Sequence, residues 1–167
     1  TAVGDIEVEI DSAHAPITAA NFLRYVDLQF YSNFGRFHRT VRADNQPDTR
    51  IKIEVIQAGL EPYRAQDFPP VPLERTGVTG LRHRDGTISM ARDGPATATS
   101  DFFICIGDQP ALDFGGKRNP DGQGFAAFGR VVRGMNVVNK IHDAPARDQT
   151  LQPVIPILGV ARVSLRR

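Results

Sequence analysis

Residues 86–91 read Gly86-Thr87-Ile88-Ser89-Met90-Ala91, and residues 100–106 read Ser100-Asp101-Phe102-Phe103-Ile104-Cys105-Ile106. Each is a short apolar run bounded by Gly, Ser or Asp, too brief for a helix and rich in residues that fit a pleated surface. They predict two buried strands. Segments 37–41, 51–57, 127–132 and 155–163 have the same form. In 3–10 the residues alternate, with Ile6, Val8 and Ile10 on one face and Asp5, Glu7 and Glu9 on the other, as in a half-buried strand.

Two stretches break this period of two. Pro16 suits the first turn of a helix, where its missing N–H costs nothing, and Ile17, Ala20, Leu23, Val26 and Phe30 follow at three- and four-residue spacing. A helix over about 16–29 is predicted. A second is predicted at 135–141, where Val137, Val138 and Ile141 make an apolar face after Gly134. Seven or more strands without regular strand–helix alternation favour an antiparallel sheet closed into a barrel, which removes exposed edges.

The 167 residues suit one domain, and folding such a chain removes roughly 70% of its unfolded surface from water. Apolar residues make up 41% and charged residues 23%, which excludes a disordered chain. Lys and Arg total 20 against 19 Asp and Glu. That balance provides no broad field for a nucleic-acid backbone or an anionic membrane, so neither is expected as a partner. Apolar runs such as 102–106 are far too short to span a bilayer. Cys105, alone in an apolar strand, is read as a buried thiol, and the four scattered histidines suggest no metal site. Segments 60–82, with Pro62, Pro69, Pro70 and Pro72, and 115–124 read as long loops of the kind that often carry function.

Six pieces in order, Phe37-His38-Arg39-Thr40-Val41, Ile56-Gln57-Ala58-Gly59, Gly86-Thr87-Ile88-Ser89-Met90-Ala91, Ser100-Asp101-Phe102-Phe103-Ile104, Ala111-Leu112-Asp113 and Phe128-Gly129-Arg130-Val131, resemble the cyclophilin-type peptidyl-prolyl cis-trans isomerases. The likeness runs from about residue 4 to 163. It implies a single cyclophilin-like domain over 1–167, mainly β, built as a closed eight-stranded antiparallel barrel capped by two α-helices. The substrate groove would lie on the outside of the barrel wall.

The resemblance also implies a reaction, rotation about the peptide bond before proline, with proline-containing polypeptides as partners and no cofactor or metal. Twisting that bond costs the amide resonance, a barrier of about 20 kcal/mol, and leaves a pyramidal prolyl nitrogen able to accept a hydrogen bond. On the family pattern Arg39 and Gln57 are the catalytic residues, Arg39 as the cation and Gln57 as the groove amide that positions it and the substrate backbone. Phe103 and Leu112 are walls of the proline pocket. Val55, Met90, Ala91, Asp101 and Phe125 complete the substrate-binding set. His38 precedes Arg39 in a strand, so alternation turns it to the opposite face, as a structural histidine. A monomer is expected, and cyclosporin-type ligands are further partners that the family implies.

Several positions depart from the pattern. Glu54 and Val55 stand where Phe-Met is common, which suggests a lost aromatic wall and a carboxylate near Arg39. Asp101 replaces a frequent Gln, exchanging a donor and acceptor for an acceptor-only group. Ala111 occupies a Trp position of many eukaryotic members, Phe125 that of a groove His, and Ala58-Gly59 replaces Gly-Gly. A proline-peptide binding module with little turnover is therefore the alternative reading.

Three other signals fail on their parts. His83-Arg84-Asp85 and Asp113-Phe114-Gly115 spell kinase tripeptides, but the chain is short, has no Gly-rich loop followed by a strand Lys, and carries Met90 where the catalytic-loop Asn belongs. Asn119-Pro120-Asp121-Gly122 lacks the alternating acidic ligands and closing Glu of a calcium loop. A hydrolase built on Asp101 or Glu54 with a histidine lacks a nucleophile beside a base. The start at Thr1 without Met and the bacterial look of the matched details lead to an expected periplasmic location, with the cytoplasm as the other option.

Overall fold

The computed structural model describes residues 1–64 and 68–163. Among them are eight strands: β1 (Glu7–Ile10), β2 (Gly35–Val41), β3 (Val55–Leu60), β4 (Thr87–Met90), β5 (Phe102–Cys105), β6 (Ala126–Arg133), β7 (Ala146–Arg147) and β8 (Thr150–Pro156). All pair antiparallel in the order β1-β6-β4-β5-β3-β2-β8-β7. The expected eight-stranded antiparallel sheet is present, with one correction. Among the described residues no ladder joins the end strands β1 and β7, so hydrogen bonds do not close the barrel. β1 has four residues and β7 two, leaving little backbone for such a ladder.

The sheet still wraps a single interior core. Alternation sends Phe37 of β2, Ile56 and Ala58 of β3, Ile88 and Met90 of β4, Phe102 and Ile104 of β5, and Phe128 of β6 inward. Helix α1 (Pro16–Asp27) lays Phe22 on this core, with ring centroids 5.1 Å from Phe128 and 5.3 Å, edge-on, from Phe102. Such offset and edge contacts suit the aromatic quadrupole. No local side chain caps α1. Glu74, 56 residues on, accepts from the Thr18 N–H at 2.7 Å and the Ile17 N–H at 3.2 Å, so the long loop at 60–82 reaches back to satisfy the orphan donors.

The expected helix over 16–29 ends at Asp27, because Gln29 turns left-handed (φ 60°) and opens a further short helix, α2 (Phe30–Phe34). With α3 (Thr76–Thr79) and α4 (Met135–His142), the described residues hold four α-helical segments where two were expected. Strand boundaries also moved. Residues 51–54 lie outside β3, since the buried Gln46 amide takes both polar groups of Ile53: its Nε2 donates to the carbonyl at 2.8 Å and its Oε1 accepts from the N–H at 3.2 Å. β8 precedes most of the expected 155–163 strand. Pro153 and Pro156 argue against a strand there, yet pairing to the two-residue β7 leaves enough free edge to tolerate them.

Candidate active site

A second apolar cluster lies on the outer face: Val55 of β3 and Phe103 and Cys105 of β5, joined by Val41 of β2, Ile53 and Leu112, with Ala91 and Phe125 packed against it. Here it floors a cavity of about 460 Å³. That volume lies within the range of small-ligand pockets. Of the residues expected at the site, Arg39, Val55, Gln57, Ala91, Asp101, Phe103, Leu112 and Phe125 all line it. Met90 does not. Its side chain is packed into the interior core, one residue out of phase with Ala91. Ala91 is the groove-facing member of the pair, and its own N–H is already donated to the Asp101 carbonyl at 2.9 Å.

Phe103 is set between two rings. His83 stacks behind it at 5.9 Å with planes 17° apart, and Phe125 meets it edge-on at 5.3 Å. Arg92 covers Phe125, its guanidinium carbon 5.2 Å from the ring centroid, and grips both Asp121 oxygens at 2.8 and 3.0 Å and the Gly124 carbonyl. These contacts pin the 115–124 loop to the rim of the cavity.

A β-bulge places the polar half of the site. β2 pairs Phe37 with Ala58 and Arg39 with Gln57, so two adjacent residues of β3 face partners that are two residues apart on β2. Phe37 therefore points into the core while both His38 and Arg39 reach the outer face. The expectation that His38 turns away from Arg39 is overturned by this extra residue, which sequence alternation does not register. His38 Nε2 lies 3.0 Å from Asp101 Oδ2.

The result is a chain of polar contacts across four elements. Gln149 Oε1 accepts from Arg39 Nε at 2.9 Å and Nη2 at 2.5 Å; Gln57 Oε1 accepts from Arg39 Nη1 at 3.0 Å. Gln57 Nε2 donates to Asp101 Oδ2 at 2.8 Å. Asp101 needs only to accept here, so the exchange of Gln for Asp costs this network nothing. Burial, with Arg118 as a second cation in the cavity wall, presses the Arg39 guanidinium below the ordinary arginine value. An arginine so lowered is still a cation at neutral pH.

Glu54 is not in the cavity. It faces away from Val55 and Gln57, with Oε1 4.0 Å from His142 Nε2, and Ile53 fills the wall on the groove side. The anticipated carboxylate beside Arg39 is thus absent from the described lining. Sequence reasoning missed Gln149, Ile53, Arg92, Arg118 and Asn119. For Gln149 the available signal was the polar turn Arg147-Asp148-Gln149-Thr150, where Asp148 is left-handed (φ 55°). For the last two it was their place in the Gly-rich loop already marked as long.

The two kinase-like tripeptides meet in space. His83 Nδ1 lies 2.8 Å from Asp113 Oδ1 and Nε2 2.9 Å from Ser89 Oγ. The ring thus bridges the carboxylate through Nδ1 and the serine hydroxyl through Nε2. Ser, His and Asp in line resemble a hydrolytic triad, but Ser89 is 0% and His83 1% exposed, so no substrate reaches the hydroxyl. The trio instead backs Phe103. Among the described residues no three His, Cys, Asp or Glu side chains group as a metal set, and no helix is long and apolar enough to cross a membrane.

A family model for cyclophilin type peptidyl-prolyl cis-trans isomerases matches residues 1–162. A peptidyl-prolyl cis-trans isomerase of Acinetobacter baylyi is 33% identical over 99% of this chain and 81% of its own length. Isomerase B of Escherichia coli is 35% identical over 83% of this chain and 78% of its own. Among solved structures, a cyclophilin type isomerase of Cryptosporidium parvum superposes with a TM-score of 0.70 at 22% identity, covering 92% of this chain and 88% of that one. A second structure of that protein, in the presence of the dipeptide Ala-Pro, gives 0.66 at 20% identity over 93% and 94%.

Proposed function

The chain belongs to the cyclophilin-type peptidyl-prolyl cis-trans isomerase family, and from that premise we propose how its groove turns the bond before proline. Its reaction is the cis–trans isomerisation of peptidyl-prolyl bonds. The prolyl ring enters the apolar cavity over Val55, Phe103, Leu112 and Phe125, where its burial contributes on the order of 1–3 kcal/mol. Arg39 then faces the prolyl nitrogen.

In the planar amide that nitrogen's electron pair is shared with the carbonyl. At the twisted transition state the pair is localised, and a donor at the nitrogen strengthens its bond only then. The observation that carries this reading is the fixing of Arg39 by Gln149 on one side and Gln57 on the other. With Nε and one edge of each terminal nitrogen held, the guanidinium needs little reorganisation as the bond twists. No proton is transferred and no covalent intermediate forms. We take the protein to act as a monomer on flexible polypeptides during folding. A cyclosporin-type ligand would compete for the same cavity. A periplasmic location is part of the proposal, tested by fractionating cells that express the full gene.

The test is NMR exchange between the cis and trans forms of a short Ala-Pro-Phe peptide at catalytic protein concentration. The native protein accelerates exchange, and Arg39→Ala lowers kcat/KM by about a hundred- to a thousandfold, or ~3–4 kcal/mol, with peptide binding retained. Binding by the native protein without acceleration would overturn the reading and leave a binding module.

A further inference from the structure

Arg118 stands in the cavity wall at the Ile53 end of the groove, on the 115–124 loop. Its Nη1 donates to Gln46 Oε1 at 2.9 Å and to the Ile51 carbonyl at 2.7 Å, and its main-chain N–H to the Ala111 carbonyl at 3.1 Å. The anchor is rigid, since Gln46 is 2% exposed and its amide is also spent on Arg42 and Ile53. Both side-chain bonds use Nη1. Nε and Nη2 have no acceptor, and the guanidinium has no carboxylate, among the described residues.

The surroundings make that cation unusual. Arg92, also in the wall, is neutralised by Asp121, whereas Arg118 meets only neutral oxygens and faces Arg39, itself held by two amides. The carboxylates of the groove are Asp93 and Asp101; Asp101 is bonded to Gln57 and His38, and among the described residues neither forms an ion pair with Arg118. Burial lowers the affinity of Arg118 for its proton, which marks a charge partly stripped of water and without a counter-charge. An Nε and Nη2 edge matches the two oxygens of a carboxylate.

We propose that Arg118 is a specificity-determining residue that makes this groove select substrates carrying a carboxylate close to the proline. This rests on the reading of the cavity as the substrate groove. Two sources supply the group, the side chain of Glu or Asp and the terminal carboxylate of a chain that ends near its proline.

The test uses N-acetylated, C-amidated proline peptides with Glu, Gln or Lys placed one residue before, one after and two after the proline. A parallel Gln set ends in the free acid. Exchange is measured by NMR and affinity by chemical-shift titration, for the native protein, Arg118→Gln and Arg118→Lys. At one position, or with the free acid, the carboxylate peptide exceeds its neutral counterpart about five- to tenfold in kcat/KM, carried by KM, and the ratio shrinks with added salt. In Arg118→Gln the ratio falls to about one, and Arg118→Lys, which keeps the charge, restores part of it.

A ratio of one at every position in the native protein overturns the proposal. So does a carboxylate preference that Arg118→Gln leaves intact. Acceleration of all peptides alike sinks this inference alone, whereas acceleration of none sinks the isomerase reading beneath it.

Discussion

Gln149 Oε1 takes two hydrogen bonds from Arg39, at Nε and Nη2, across 110 residues of sequence. Its own Nε2 donates to the Asn45 carbonyl at 3.0 Å, so the amide cannot rotate to follow the arginine. Gln149 is therefore a positioning residue. Gln149→Ala leaves the charge of Arg39 in place but frees its orientation, and kcat falls about tenfold while KM changes little. Steady-state rates on one peptide separate the two parameters. A change confined to KM would make Gln149 a binding residue instead.

Gly59 couples the sheet to the site. A methyl group built on it would lie 1.8 Å from Asp101 Oδ1, far inside contact distance. The clash is with the end of a side chain, so the carboxylate moves and β3 does not. Gly59→Ala is then expected to cost stability little, about 1 kcal/mol or less, yet to break the bond from Gln57 to Asp101 and lower kcat/KM several-fold. Urea denaturation beside the exchange assay checks both. A large stability loss would show that the backbone yields first.

The interior of the fold was legible because strand alternation is a strict rule. The neighbours Phe102 and Phe103 divide as a period of two requires, one against Phe22 in the core and one against Phe125 in the groove. What escaped has a different physical origin. The bulge that turns His38 and Arg39 to the same side is a feature of pairing between two strands, and no residue of 37–39 announces it. The loss of strand at 51–54 follows from a single amide, Gln46, competing with the ladder. Gln149, Arg92 and Arg118 reach the groove from turns and loops, where side-chain direction is set by long-range contacts and not by a local period.

Cys105 lies between Phe103 and Leu112 in the outer cluster, 0% exposed, and burial pushes its thiol far above the ordinary value. Only the thiolate is an efficient nucleophile. A disulfide reagent at pH 8 should thus modify the folded protein slower than the unfolded chain by several orders of magnitude, at a rate that tracks global opening. Fast labelling in native buffer would mean that the floor of the groove opens locally.

Asp113 links pH to stability through His83. Burial alone would raise its carboxyl, but the side-chain and backbone bonds from His83, the charge of that ring and the more distant Arg82 outweigh it, and the net direction is downward. A carboxyl lowered on folding adds stability that is complete above the unfolded value of about 3.9 and is lost as pH falls through the folded value. Asp113→Asn is expected to be less stable at pH 7 by about 1–3 kcal/mol, since it leaves His83 with a weaker acceptor in a buried site. The gap should narrow as pH is lowered from 5 toward 2, because native Asp113 then takes up its proton. Denaturation at a series of pH values reads this directly, and a gap that stays constant over that range would show that the variant acts through packing behind Phe103 and not through the charge.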